Sequence, residues 1–86
     1  MTIINVDEVK ARLDAGEKLN LVDVREADEH AEFNIGGTLL PLGNIQMMLV
    51  DDIEQLKNEE VICYCRSGNR SMQASMMLET FGFSNV

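Results

Sequence analysis

The apolar positions along the chain change rhythm several times, and each rhythm marks an element. Thr2-Ile3-Ile4 predicts a short first strand. Asn5 followed three residues later by Glu8 resembles a capping box, with Asn at its head. Val6, Val9 and Leu13 then recur at helical spacing, and Gly16 fits a C-terminal stop. Leu19 to Val24 (LNLVDV) is mostly apolar, as a strand covered on both faces would be. Glu26 to Phe33 predicts a short acidic helix or turn, closed by Gly36-Gly37. Thr38-Leu39-Leu40 reads as a brief strand that Pro41 limits. Ile45 to Leu56 predicts one or two short helices with Met48, Leu49, Ile53 and Leu56 turned inward. Val61 to Cys65 is the next strand. Ser71 to Phe81 reads as a helix with Ala74, Met77, Leu78 and Phe81 on its apolar face, stopped at Gly82.

Strands alternating with helices predict an α/β fold with a mainly parallel sheet and right-handed crossovers. Ligands collect at the carboxyl ends of strands in such sheets. The Asp23-Val24-Arg25 end and the Cys65 end are therefore expected to open on the same edge.

Composition changes this picture little; charge changes it more. With 86 residues the chain is expected to be one domain, residues 1–86, above the size at which disulfides or metals become necessary. Six methionines and no Trp suggest that Met fills gaps in the core. The formal charge is −8, with −9 in residues 1–60 and +1 in residues 61–86. Such an acidic chain argues against partners that are nucleic acids or anionic membranes. The local reversal suggests a small anion bound near Cys65. No signal peptide and no apolar run long enough to span a bilayer are visible. Cys63 and Cys65 on one strand would stand roughly 6–7 Å apart, at or beyond bridging geometry. A reducing cytoplasm is the expected compartment.

The strongest chemical signal is Cys65-Arg66-Ser67-Gly68-Asn69-Arg70-Ser71, set between a strand and a helix. That order puts a thiol at the mouth of a ring of backbone N–H groups beside a helix N-terminus. Such a site favours anions and lowers a thiol's pKa. Gly68 is expected at positive φ, which turns successive N–H groups inward. Arg66 and Arg70 can hold anionic oxygens by charge-assisted hydrogen bonds; the alternative for each is solvated surface charge. Ser67 and Ser71 can hydrogen-bond a sulfur anion, yet Ser71 can equally be a plain N-cap. Cys63, inside the apolar run, reads as core filler. Asp23 and Arg25 are expected to pair and brace the loop, or to close off a strand. His30, among Asp28, Glu29 and Glu32, reads as part of an exposed acidic face without a catalytic role. One His and no paired cysteine ligands support neither a Cys–His dyad nor a structural zinc site.

Four segments resemble a single-domain rhodanese: Leu21-Val22-Asp23-Val24-Arg25-Glu26, Glu32-Phe33 with Ile35-Gly36-Gly37, Leu40-Pro41-Leu42, and Val61 to Val86. The most specific is Tyr64 to Ser71, similar to that family's active-site loop. The resemblance implies a three-layer fold with helices on both faces of the sheet. It also implies that Cys65 takes a sulfane sulfur from a small anionic donor such as thiosulfate. Cys65 would hold that sulfur as a persulfide and pass it to a thiol or cyanide-type acceptor, or to a sulfur-relay protein. No metal or organic cofactor is implied. Phosphatases and arsenate reductases of similar fold use C-x5-R, a wider loop for a tetrahedral oxyanion. Cys65 to Arg70 is C-x4-R, a tighter ring that suits one sulfur atom. A non-catalytic rhodanese-like binding module is the alternative from another class.

Two departures from the family pattern stand out. Phe33-Asn34-Ile35-Gly36-Gly37-Thr38 lies where the family often has Gly-His-Ile-x-Gly-Ala. Members also usually continue past the Gly82 to Val86 type of segment, so the C-terminal strand and helix are expected to be truncated at Val86.

Overall fold

The computed structural model describes residues 6–66 and 68–86. The expected strand at Thr2-Ile3-Ile4, the Asn5 cap and Ser67 lie outside the described residues. In chain order the elements are α1 (Val6–Asp14), β1 (Asn20–Asp23), α2 (Ala27–Glu32), β2 (Thr38–Leu39) and α3 (Leu42–Gln46). A 3-10 helix at Asp51–Leu56, β3 (Val61–Tyr64) and α4 (Asn69–Thr80) follow. Each was legible as an element in the sequence, with boundaries shifted by a few residues.

The strands form a parallel sheet in the order β2-β1-β3. Val22 stands opposite Cys63 and Asp23 opposite Tyr64. Past the formal strand ends, Leu40 N–H donates to the Asp23 carbonyl at 2.8 Å and Leu42 N–H to that of Val24 at 3.0 Å. The carboxyl ends of β1 and β3 thus lie side by side, as expected for a ligand-binding edge. On the far side of β3, Glu60 and Asn85 make one parallel bridge, with Val61 N–H donating to the Asn85 carbonyl at 2.8 Å. Phe83 and Val86 are buried beside it.

Strand periodicity of two sorts the side chains onto two faces. Val22, Val24, Val61, Cys63 and Cys65 join Ile45, Ile53, Ala74 and Leu78 in the larger core, against α3, the 3-10 helix and α4. Leu21, Ile62 and Tyr64 face the other way, onto Val9 and Leu13 of α1. Helices on both faces explain why β1 and β3 read as nearly unbroken apolar runs. Among the described residues no helix is long and apolar enough to cross a membrane.

The methionines depart from expectation. Met47, Met48, Leu49, Met72 and Met76 are all exposed, and Met77 is the described methionine that packs on the core. The helical period does not run through residues 47–50, because α3 ends at Gln46 and Met48 adopts φ 62. That turn swings Met47 to Leu49 outward and hands the inward position to Val50. Ile53 and Leu56 do turn inward as expected.

Candidate active site

β3 delivers Cys65 to the edge of the sheet on the same face as Cys63, two residues earlier. Neither cysteine is in a disulfide and both are buried, but their surroundings differ. Cys63 lies within the core, and burial pushes its thiol up to about 11. Cys65 stands where the chain leaves the strand, and backbone donors turn onto its sulfur. Gly68 N–H donates to Sγ at 3.1 Å and Ser71 N–H at 3.3 Å. Sγ also lies 3.6 Å from Ser71 Oγ, whose hydroxyl donates to the Gly68 carbonyl at 3.0 Å.

This cradle depends on Gly68, which takes φ 90 and ψ −16 as the N-cap of α4. A left-handed residue there turns the chain so that its own N–H and that of Ser71 face one point. Gly68 holds the cap position, so Ser71 is the third residue of the helix and not its N-cap. Two N–H donors at the start of a 12-residue helix favour a thiolate over a thiol.

The other loop residues diverge. Asn69 opens α4 on the surface, and Arg66 is exposed. Arg66 lines a cleft of about 220 Å³ together with Arg25, Glu29, Glu32 and Phe33. Arg70 turns to Glu29 in a two-pronged ion pair, Nη1 to Oε1 at 2.6 Å and Nη2 to Oε2 at 3.0 Å. Glu29 Oε1 also accepts the Glu26 N–H at 3.0 Å. These bonds, from Arg70 first and Glu26 second, hold the Glu29 carboxyl down at about 2.

Asp23 and Arg25 do pair. Arg25 Nε and Nη2 donate to the two Asp23 oxygens at 2.9 and 2.8 Å, and its backbone N–H adds a third bond at 3.0 Å. Burial alone would raise the Asp23 carboxyl, but the bonds from Arg25 and His30 outweigh it and keep it low. Arg25 Nη2 also reaches the Phe33 carbonyl at 2.6 Å, tying the end of α2 to the sheet.

His30 corrects the sequence reading. It does not sit on an exposed acidic face: its Nδ1 lies 2.8 Å from Asp23 Oδ2, and its side chain is 24% exposed. An ionised carboxylate only accepts, so Nδ1 carries the proton. The acidic neighbours in sequence concealed this, because α2 turns His30 inward while Asp28 and Glu32 face solvent. Glu29 was missed for a similar reason. Its Glu26-x-x-Glu29 spacing signals a helix start, whereas its partner Arg70 is 41 residues away. Among the described residues, no three His, Cys, Asp or Glu side chains are gathered as a metal site would require.

A strand-ending cysteine whose sulfur is met by the N–H groups of a short loop, on a parallel α/β sheet, defines the class. The chain belongs to the rhodanese family: the Rhodanese-like domain matches residues 5–86. It is similar to two proteins of Bacillus subtilis (strain 168). One, named "Putative sulfur carrier protein YrkF", is 33% identical over 84 residues, covering 96% of this chain and 44% of that protein. The other, "Putative sulfurtransferase YtwF", is 36% identical over 85 residues, covering 96% and 79%. A Schizosaccharomyces pombe protein named "Putative thiosulfate sulfurtransferase, mitochondrial" is 38% identical over 77 residues, covering 77% and 54%. The chain therefore spans about half the length, or less, of the first and third of these relatives.

Proposed function

We propose that the chain, as a single domain of residues 1–86, is a sulfurtransferase that carries sulfane sulfur as a persulfide on Cys65. The observation that carries this reading is the pair of N–H bonds from Gly68 and Ser71 to Sγ. A thiolate is needed to attack, and the same donors stabilise the terminal sulfur anion afterwards. With thiosulfate, the Cys65 thiolate attacks the outer sulfur, and the S–S bond breaks with its electron pair leaving on sulfite. An acceptor such as cyanide or a thiol then removes the outer sulfur and regenerates the thiolate. In this reading Cys65 is the catalytic residue. Gly68 and Ser71 bind the sulfur, with Ser67 and Asn69 completing the loop. Arg66 and Arg70 flank the donor, while Asp23 and Arg25 brace the strand end. The names of the relatives support sulfur transfer and a place in sulfur relay. The cytoplasm, with its reduced thiols, is the compartment such chemistry suits.

The test is incubation with thiosulfate followed by intact-mass measurement. A gain of one sulfur, removed by cyanide and absent from Cys65→Ser, is expected. Equal uptake by Cys65→Ser overturns the reading. The burial of Cys65, only 7% exposed, favours a second reading as a non-catalytic docking module. Slow alkylation with an ordinary thiol pKa near 8.5 would select it.

A further inference from the structure

Glu29 holds both prongs of the Arg70 guanidinium, and a third bond from the Glu26 N–H fixes the direction in which its carboxylate points. Arg70 immediately precedes Ser71, whose N–H meets the Cys65 sulfur. Arg25, the second arginine at this edge, is occupied by Asp23 and the Phe33 carbonyl. Among the described residues no ion pair involves Arg66, the third. Among the described residues, the cleft beside the loop therefore offers one open cation, and its lining includes two carboxylates, Glu29 and Glu32, and the exposed ring of Phe33.

We propose that Glu29 is a specificity-determining residue: by occupying Arg70 it disfavours doubly charged oxyanion donors relative to donors that bring sulfur on an uncharged or zwitterionic carrier. A dianion approaching Cys65 must either displace Glu29 from Arg70 or bind with Arg66 alone. A carrier without charged oxygens faces neither cost. The inference rests on the sulfur-transfer reading and deepens it. Glu29 acts on donor binding and takes no part in the bond exchange, in which thiolate and thiosulfate give persulfide and sulfite with three negative charges on each side. Its effect is expected in KM more than in kcat.

Five proteins test this: the parent, Glu29→Gln, Arg70→Gln, the Glu29→Gln/Arg70→Gln double variant and Glu29→Asp. Gln at the third helical position still accepts the Glu26 N–H, so α2 keeps its start. The first readout needs no sulfur transfer: the rate of Cys65 alkylation by anionic iodoacetate relative to neutral iodoacetamide, mapped by peptide mass. Glu29→Gln is expected to raise that ratio roughly fivefold, about what one nearby unit charge is worth in high dielectric. The second readout, KM for thiosulfate, is expected to fall by a similar factor with kcat little changed. Both gains should vanish in the Arg70→Gln background, because they arise from the freed guanidinium. Glu29→Asp, which keeps the charge, should stay near the parent and guards against a fold defect in the Gln variant. An unchanged ratio, or the same gain without Arg70, overturns the proposal. A raised ratio with no sulfur uptake by any variant overturns the donor assignment together with the sulfur-transfer reading, and leaves Glu29 as a gate for anions only.

Discussion

Asp23 and Tyr64 stand opposite each other in the parallel register of β1 and β3, and the Arg25 guanidinium lies 5.6 Å from the centre of the Tyr64 ring. One residue further along β1, Val24 N–H donates to the carbonyl of the same Tyr64 at 3.2 Å. The buried Asp23–Arg25 pair is thus fastened to the strand that delivers Cys65. Burial together with the nearby Asp23 charge holds the Tyr64 hydroxyl above its usual range, and that hydroxyl donates to the Gly36 carbonyl at 2.9 Å.

Removing one member of that pair leaves the other as a buried, uncompensated charge. Asp23 is 0% exposed and Arg25 7%. Asp23→Asn is expected to cost about 3 kcal/mol or more. Urea unfolding followed by circular dichroism measures it, and a loss below about 1 kcal/mol would show that the pair does not brace the strand end.

The two thiols should separate cleanly. At pH 7–8 iodoacetamide is expected to modify Cys65 first and to leave Cys63 until the protein unfolds, since burial holds the Cys63 thiol near 11. Peptide mapping against time reads this. Equal labelling of both in the native state would contradict the distinction.

Two adjacent glycines differ in a way that mutation can expose. Gly36 and Gly37 both take positive φ, but a Cβ on Gly37 would fall 2.2 Å from the Leu21 carbonyl oxygen, while one on Gly36 meets nothing within 4 Å. Gly36→Ala should cost about 1–2 kcal/mol, the strain of a left-handed residue. Gly37→Ala should cost clearly more, because the backbone of β1 has to move. Similar melting temperatures for the two would refute this.

Acid should weaken the contact between α2 and α4 in a definite window. The Glu29 carboxyl is held below its unfolded value, down to about 2 in the folded chain against an ordinary 4.5. Its contribution is therefore fully present above about 4.5 and lost as pH falls through about 2. Glu29→Gln should lose less stability than the parent across that interval. Parallel slopes in acid titrations of the two proteins would argue against the pair.

Met48 offers a test with the opposite sign. It is exposed and left-handed at φ 62, so Met48→Gly loses no packing and relieves roughly 1–2 kcal/mol of strain. Glycine's greater freedom in the unfolded chain returns about 0.5–1 kcal/mol of that. A small net stabilisation is expected, readable as a rise in thermal midpoint.

The sequence displayed what is local. β1, β3 and α4 follow from apolar runs and from the spacing of Ala74, Leu78 and Phe81, and Cys65 is singled out by lying at a strand end before Gly68. What is decided across the chain was hidden. The Glu29–Arg70 pair joins residues 41 apart, and the inward turn of His30 depends on where Asp23 ends up. Met48 and Leu49 were misread because the helical period was continued through a turn that breaks it. The narrow C-x4-R ring was readable by counting, but the engagement of Arg70 by a carboxylate was not.

The parallel register has a temporal consequence. Residues 20–23 align with residues 61–64, and joining them closes a loop that encloses α2, β2 and α3. Non-local pairing of this kind forms slowly, after local helices. During synthesis Cys65 is then an ordinary thiol until β3 docks and Gly68 and Ser71 turn onto its sulfur. The cradle around Cys65 is thus completed late, and the reactivity of Cys65 toward an alkylating agent would report that folding is complete.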